Sequence, residues 1–554
     1  MTEPLRVLVV GYGPVGARFV EGVLPAVRSG RMQLTVVGAE AHDAYNRVLV
    51  AEYAVGGVER ASLTIADRDE AEAAGARVLT GVSVRRLDRE ARSAMLSTGE
   101  HVDYDRVVLA TGSRANTPTL DGVPRPKRDP AHVSSLPVEL IDGDDVLPRG
   151  VTALRDLADA ERVREAIRTG QRLVILGAGV LGLELALAAV HAGARVAVVH
   201  HGAHPMPRNL DRGGGGVLRQ ALRRTGLAVF AYSRAESVGF HTDDVSGERS
   251  FDRLITADGN QIEGDLLVLS CGVSPRAELA ALAGLRTAFG VIVDRRLRSW
   301  SDPDVFAIGD CAHVVDQEPA HDSASSRPGD STGPLPGGPS GLIGPGWRQA
   351  DWLAARMQEE LLVADGEAQA MRAEMDAERE PLVMLKAEHI DVVAVGDVSL
   401  EPGDDDRTGR DRKVSLWSDP EHYRYVKMVS ENGVLTGFVC VGMPRTAAEL
   451  TLLFERGGEL PADRSLLLRF DGPDYVPGDD GDAFAPTATV CWCNAVTVER
   501  IEESAARGND TVACIGRDTR AGTGCGGCKS RIADVLARHA AGVATPGADP
   551  VAAA

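Results

Sequence analysis

The chain opens on a short, mostly apolar run, Leu5-Arg6-Val7-Leu8-Val9-Val10, which passes directly into Gly11-Tyr12-Gly13-Pro14-Val15-Gly16. From Ala17 to Val23 the apolar positions then take up helical spacing. The same three-part pattern returns downstream. Leu173-Val174-Ile175-Leu176 leads into Gly177-Ala178-Gly179-Val180-Leu181-Gly182, Leu183 to Ala192 is helical in pattern, and Arg195 to Val199 reads as the next strand. After the first copy, Leu34 to Val37 predicts a strand, and Val107-Val108-Leu109-Ala110-Thr111-Gly112 a strand ending in a turn. Val305-Phe306-Ala307-Ile308-Gly309-Asp310 repeats that shape much later, so the first domain is predicted to be discontinuous and closed by a segment around residues 265–345. Trp347 to Leu362 predicts a helix, and the Glu- and Ala-rich stretch 363–380 a solvated one. Between Pro381 and Phe470 short apolar strands alternate with turns, at Ile390 to Val395, Tyr423 to Val429 and Leu435 to Val441. Helices are expected at Thr497 to Ala506 and at Lys529 to His539.

A strand, a glycine turn and a helix in immediate succession give G-x-G-x-x-G its meaning. Gly11 permits the tight turn, Gly13 lets a pyrophosphate approach the backbone, Pro14 follows, and Gly16 lets helix and strand pack closely. The helix start supplies amide donors and a favourable field for phosphates. Glu40 lies just past the next strand, where a carboxylate can accept both ribose hydroxyls of an adenosine. Gly309 and Asp310 close a strand, and Asp310 is placed to hold a ribityl hydroxyl. Gly177, Gly179, Val180 and Gly182 form the second complete loop. There the usual acid is missing: the strand ends Val199-His200-His201-Gly202. His200 cannot accept two hydroxyls as a carboxylate does, but a protonated ring can touch a 2′-phosphate. The donor therefore stays open between NADH and NADPH, with NADH favoured because no tight arginine pair follows the strand. Glu184, at the start of the second helix, either complements the helix field or faces a nicotinamide carboxamide.

With 554 residues the chain has room for three or four domains, and its 44% hydrophobic and 25% charged residues describe a soluble globular protein. A net charge of −20 disfavours nucleic acid as a partner and suits a basic docking face on another protein. No apolar stretch is long enough for a bilayer, and the run at Leu5 is a first strand rather than a signal peptide. No membrane association and a cytoplasmic location are expected.

Five of the eight cysteines fall in the last 64 residues. Cys491-Trp492-Cys493 and Cys525-Gly526-Gly527-Cys528 offer four thiolates, a set that both zinc and a [2Fe–2S] cluster accept. The C-x-C pair favours iron–sulfur, because zinc pairs usually have two or more intervening residues. Gly522, Gly524, Gly526 and Gly527 would let amides approach the sulfurs. Cys514, in an apolar run, reads as a core thiol, and Cys271 and Cys311 as small buried hydrophobes.

This arrangement resembles the pyridine nucleotide–disulfide oxidoreductase superfamily, and more closely the FAD- and NAD-binding front half of assimilatory NAD(P)H nitrite reductase large subunits. The match is carried by Glu40 with Tyr45-Asn46-Arg47-Val48-Leu49, by Ala110-Thr111-Gly112-Ser113, by Gly272 to Arg276, by Ser301 to Cys311, and by Gly344-Pro345-Gly346-Trp347 with Gln349-Ala350. The cysteine pattern resembles the small [2Fe–2S] domain of bacterioferritin-associated ferredoxin. The resemblance implies that Asn46 and Arg47 lie beside a flavin, that Thr111 and Gly112 line its site, and that Asp310 binds its ribityl chain. It implies an α/β fold with two Rossmann-like nucleotide-binding domains, a mixed α/β interface domain and a small helical iron–sulfur domain. The expected division is a FAD-binding domain in two segments, 1–119 and 263–362, interrupted by a Gly/Pro/Ser/Asp-rich insert at 317–340. An NAD(P)-binding domain occupies 120–262, the interface domain 381–470, a linker 471–487, the [2Fe–2S] domain 488–542 and a disordered tail 543–554. Disulfide reductases of the superfamily carry a redox cysteine pair early in the chain, and here no cysteine precedes Cys271. The nitrite reductases continue into a sirohaem and [4Fe–4S] domain, and no such domain is expected in this chain. What the resemblance leaves is an electron-transfer subunit passing electrons from NAD(P)H through FAD and the cluster to a redox partner, a molybdenum-containing nitrate reductase catalytic subunit. An NAD(P)H oxidase, a ferredoxin reductase and a non-enzymatic redox sensor are the alternatives. Hydride transfer needs no acid or base, and Glu52 and Glu184 are the nearby ionisable candidates. Some related ferredoxin reductases place a lysine near Glu52, and its absence puts a Lys–Glu pair in doubt.

Overall fold

Leu5–Val10 is buried along most of its length because it becomes an inner strand in the parallel part of a mixed sheet. It pairs in parallel with Met32–Gly38 on one side and Arg106–Leu109 on the other. Asp302–Ala307 pairs in parallel with Arg106–Leu109, so residues from both ends of the first 315 share one nine-stranded sheet. The computed structural model describes residues 3–124, 146–242, 244, 247–315, 337–339, 341–366, 372–377, 380–387, 390–404, 409, 411–471, 484–491, 494, 496–523 and 528–540. Outside them lie most of the 317–340 insert and of the 471–487 linker, the tail 543–554, and Cys493, Cys525, Gly524, Gly526 and Gly527.

The helix Pro14–Arg28 covers one face of this sheet and packs along the helix Ile343–Ala364. Gly22 permits the approach, since a Cβ there would stand 2.6 Å from that of Ala354. The second helix ends at Ala364, and residues 372–377 are not helical, which corrects the solvated helix expected over 363–380. Met375 instead bonds through its backbone to Arg295.

The second glycine pattern forms its own five-stranded parallel sheet, in the order Ala228–Phe230, Arg195–Val199, Arg172–Leu176, Leu266–Leu269, Val151–Ala153. Its core takes in Leu49, Val50 and Tyr53 from the first unit, so the short helix Val50–Ala54 packs against Leu157–Arg168 and Val180–His191.

The 381–470 region forms a five-stranded antiparallel sheet capped by the helix Pro444–Arg456. Alternation sorts its side chains between two cores. Val426, Met428, Phe438 and Cys440 face the capping helix, while Tyr425, Val429, Val439 and Val441 face the second glycine-loop unit. Lys427 lies on this second face, fully buried, with its ammonium 3.3 Å from Asp211 and 3.1 Å from Glu401. Asp211 also accepts the Tyr425 hydroxyl at 2.5 Å and caps the helix Arg212–Arg224 through the amide of Gly214. Four consecutive glycines open that helix, each costing about 1 kcal/mol of helix propensity. Their use is close approach: a Cβ on Gly213 would sit 2.7 Å from the Tyr425 ring, and one on Gly214 2.9 Å from Val439.

The C-terminal unit is small and mainly helical, with Val498–Ala506, Val512–Thr519 and Lys529–Ala540 around Ile501, Ile515 and Ile532. Thr497 is the N-cap of the first helix rather than its first residue. Cys514 departs from the core role expected of it: it is half-buried, and its sulfur accepts a hydrogen bond from Arg517 at 3.0 Å. Among the described residues no helix is long and apolar enough to cross a membrane.

Candidate functional site: two glycine cradles and a thiol pair

Each glycine loop divides its work between packing and open space. Gly11 has φ +115°, and a Cβ on it would lie 2.1 Å from the Ala110 carbonyl oxygen; Gly177 repeats this with φ +118° and 2.1 Å to Ser270. Gly16 and Gly182 are equally closed, at 2.1 Å and 2.5 Å from the carbonyls of Gly11 and Gly177. Gly13 and Gly179 are the exceptions, because a Cβ on either meets nothing within 4 Å. Both stand as N-caps, with Pro14 and Val180 opening the helices behind them. Unpaired amides and the positive end of a helix therefore face open room at both loops, a place suited to a phosphate group.

Around the first loop other elements converge. Gly309, with φ +73°, and Gly346 both pack on Val15. The Gly309 amide donates to Gln349 at 2.8 Å, and the Trp347 indole donates to the Pro14 carbonyl at 3.3 Å. Thr111 donates to the Arg276 carbonyl at 2.6 Å, while the Arg276 amide returns to Gly112 at 2.9 Å, stapling the two turns together.

Glu40 and Asp310 bracket this region, each engaged by an arginine. Glu40 accepts the Tyr45 hydroxyl at 2.8 Å and pairs with Arg47. Asp310 accepts from Ser113 at 2.6 Å and Arg155 at 2.9 Å. Arg155 is largely buried, which pulls its guanidinium below the ordinary arginine range, against the attraction of Asp310. Each arginine thus holds one carboxylate in place, Arg47 that of Glu40 and Arg155 that of Asp310. Arg155 was missed by sequence reasoning, because it lies far from either glycine loop with no motif around it. Asn46 is 1% exposed; its oxygen caps the turn Arg47–Leu49 through Val48, and its amide donates to the Thr523 carbonyl at 2.7 Å.

At the second loop, His200 is 5% exposed and neither ring nitrogen has a partner among the described residues. Burial pushes it down to about 4, helped by His201, His204 and Arg219. Enclosure therefore favours the neutral ring, which weighs against the protonated contact to a 2′-phosphate. Glu184 is the fifth residue of its helix and lies beyond the first turn, so the helix field is weaker there than expected. Glu52 is exposed on the neighbouring short helix, which packs against that of Glu184.

In the C-terminal unit, Cys491 ends the strand Thr489–Cys491 and Cys528 precedes the last helix. Cys491 is 2% exposed. A hydrogen bond with Cys528, opposed by burial and aided by the amides of Gly522 and Asn494, brings the Cys491 thiol down to about 5. These contacts favour the thiolate, the form that binds metal. The other partners of the proposed set, Cys493 and Cys525, lie outside the described residues. Two other thiols behave differently: desolvation pushes the half-buried Cys271 up to about 11, and the buried Cys311 donates to the Leu109 carbonyl at 3.2 Å.

Residues 5–329 match the family model described as pyridine nucleotide-disulphide oxidoreductase, and residues 489–538 match a BFD-like [2Fe-2S] binding domain. These matches carry FAD, NAD(P)H and a [2Fe–2S] cluster as cofactors. The chain is 26% identical over 96% of its length to the assimilatory nitrate reductase electron transfer subunit of Bacillus subtilis, covering 59% of that protein. It is 27% identical, again over 96%, to the nitrite reductase (NADH) large subunit of Escherichia coli, covering 55% of it. The chain thus spans little more than half the length of these relatives. Among solved structures, the covalent putidaredoxin reductase–putidaredoxin complex shares the fold with a TM-score of 0.63 at 21% identity, over 84% of this chain and 96% of that one.

Proposed function

The chain belongs to the pyridine nucleotide-disulphide oxidoreductase family, and from that premise we propose that it draws electrons from NADH and delivers them, through its C-terminal cysteine unit, to a separate redox protein. The partner in this reading is a molybdenum-containing nitrate reductase catalytic subunit. The bound groups supply the chemistry: nicotinamide gives hydride, FAD accepts the pair, and a [2Fe–2S] cluster carries electrons singly.

The residues supply place and exclusion. Gly13 and the helix start at Pro14 offer amides to the FAD pyrophosphate, Glu40 the adenosine ribose, and Asp310 with Thr111 and Gly112 the flavin end. Arg47 and Arg155 counter the phosphate charge. Gly179, Val180 and the helix behind them seat the dinucleotide, with neutral His200 at its ribose. NADH is the donor in this reading, because no tight arginine pair follows Val199 to meet a 2′-phosphate. Glu52 and Glu184 orient the nicotinamide end and are assigned no proton transfer. Cys491, Cys493, Cys525 and Cys528 hold the cluster.

The observation that carries this reading is that Cys491 and Cys528 are brought together as a bonded thiol pair in a chain whose two glycine loops are both open at their centres. Similarity to the assimilatory nitrate reductase electron transfer subunit of Bacillus subtilis supports the nitrate reductase partner. The test is an anaerobic titration with NADH and then NADPH, followed by absorption and EPR on protein of known iron content. A bleached flavin with a reduced [2Fe–2S] signal, and nitrate reduction on adding the purified catalytic subunit, is the expected result. Bleaching with zinc or no metal at the cysteines sinks the relay. Rapid turnover with oxygen and none with the catalytic subunit makes the protein an oxidase.

A further inference from the structure

Asn494, Arg520 and Thr523, which flank the two cysteine pairs in sequence, contact the elements that surround the first glycine cradle. Asn494 follows Cys493 in sequence, and its side-chain oxygen accepts from Arg18 at 2.8 Å. Arg18 lies on the helix that starts at the cradle, stacks over the Trp347 ring at 4.9 Å, and grips Asp351 at 2.5 Å and 2.7 Å. The Asn494 amide in turn points to the Cys491 sulfur at 3.7 Å and bonds the Arg520 carbonyl at 2.8 Å. Arg520 reaches back to Glu21 on the same cradle helix at 2.5 Å. Thr523, just ahead of the second cysteine pair, accepts from Asn46 at 2.7 Å. These contacts join positions 333 to 499 residues apart in sequence.

We propose that Arg18–Asn494, Glu21–Arg520 and Asn46–Thr523 form a polar seat that holds the cluster unit against the flavin-binding unit, so that electrons cross within one chain without a long domain excursion. This rests on the relay reading above. The balance is simple: one hydride brings two electrons, each crossing of the seat carries one, an external one-electron acceptor empties the cluster between crossings, and the flavin proton leaves to water. A polar seat suits this role. Its ion pair is partly exposed, with side chains 37% and 32% accessible, so it aligns the loops without a large apolar interface. Arg18 is a positioning residue: it acts on the cluster ligands through Asn494.

The test uses the full holoprotein with Glu21→Arg, Arg520→Glu, and both together. Each single change sets like charges face to face, and the double change restores an opposite pair. Flavin bleaching by NADH is expected to keep its parental rate in all three. Cluster reduction, followed by rapid-freeze EPR, is expected to slow by about tenfold or more in each single variant and to recover to within about threefold in the double. The cluster midpoint potential should fall in the single variants as the Arg18–Asn494 contact loosens. Hydrogen exchange should quicken over residues 12–22 and 511–523 in the singles and recover in the double. Parental cluster reduction and unchanged exchange in the singles overturn the seat. If NADH never reduces the cluster in the parent, the relay reading fails. In that case exchange on the oxidised protein still decides the seat: quickening with recovery upholds it, and no change overturns it.

Discussion

Gly179 and Gly182 sit three residues apart in one loop, yet the structure gives opposite expectations for adding a methyl group. Gly179 has φ −78° and ψ 178°, extended backbone open to any residue, and a Cβ there meets nothing within 4 Å. Gly179→Ala should leave the fold intact or stabilise it by about 0.4–1 kcal/mol through the unfolded chain. Its cost falls on binding, because the methyl stands where a pyrophosphate must approach the amides. Two charge-assisted hydrogen bonds are at stake, each worth about 1.5–3 kcal/mol. With partial retention the loss is about 2–4 kcal/mol, or roughly thirty- to several-hundred-fold in Kd. In Gly182→Ala the new Cβ lies 2.5 Å from the Gly177 carbonyl and 3.0 Å from the Ser270 hydroxyl. A backbone oxygen cannot rotate away, so overpacking of about 3 kcal/mol outweighs a helix-propensity gain of about 1 kcal/mol. Melting should fall by roughly 4–8 °C. Stopped-flow flavin reduction against NADH concentration gives Kd, and melting and FAD content come from the same samples. Parental NADH affinity in Gly179→Ala would falsify the assignment of this helix start as the phosphate site.

The other expectations concern groups the reaction does not consume. Lys427→Met removes the cation from a buried pair and should destabilise by about 3–5 kcal/mol, whereas adding Asp211→Asn should recover most of it; chemical denaturation distinguishes the two. His200 is held at about 4 against the ordinary 6.5, so as pH falls the unfolded chain takes the proton first. Its contribution is whole above pH 6.5 and is lost progressively down to pH 4, at most about 3 kcal/mol. Melting of the parent should therefore drop more steeply across that window than melting of His200→Gln, and parallel curves would count against the buried neutral ring.

Much of the site was legible because glycine loops are local. A strand, a turn needing φ near +115° at Gly11 and +118° at Gly177, and a helix start are all set within a dozen residues, and the side chains that would spoil them are absent from the sequence. The close pairs Cys491-x-Cys493 and Cys525-x-x-Cys528 pointed to metal chemistry for the same reason. Local signals failed where neighbours decided the outcome. The Glu- and Ala-rich 363–380 stretch has helical propensity, but the chain leaves the helix at Ala364 and Met375 docks on Arg295. Arg155 carries no pattern, and only the approach of the strand Ser113–Ala115 and the Gly309 turn brings it to Asp310. A histidine's proton depends on solvent access, which sequence does not state, so His200 read as a candidate cation and stands as a buried neutral ring.

By itself, the sequence determined the elements whose causes lie within a few residues: both glycine cradles, the alternating strands of the 381–470 sheet and the cysteine spacing. Tertiary structure alone decided which of these meet. Alternation along Tyr425 to Val429 says that two faces exist, but not that one of them buries Lys427 against Asp211, 216 residues away. Nor do the cysteine motif and the first cradle reveal in sequence that Arg18, Glu21 and Asn46 bridge them. Such contacts depend on packing between whole units. Their hydrogen bonds are made only once those units have found one another, and no periodicity along the chain encodes that meeting.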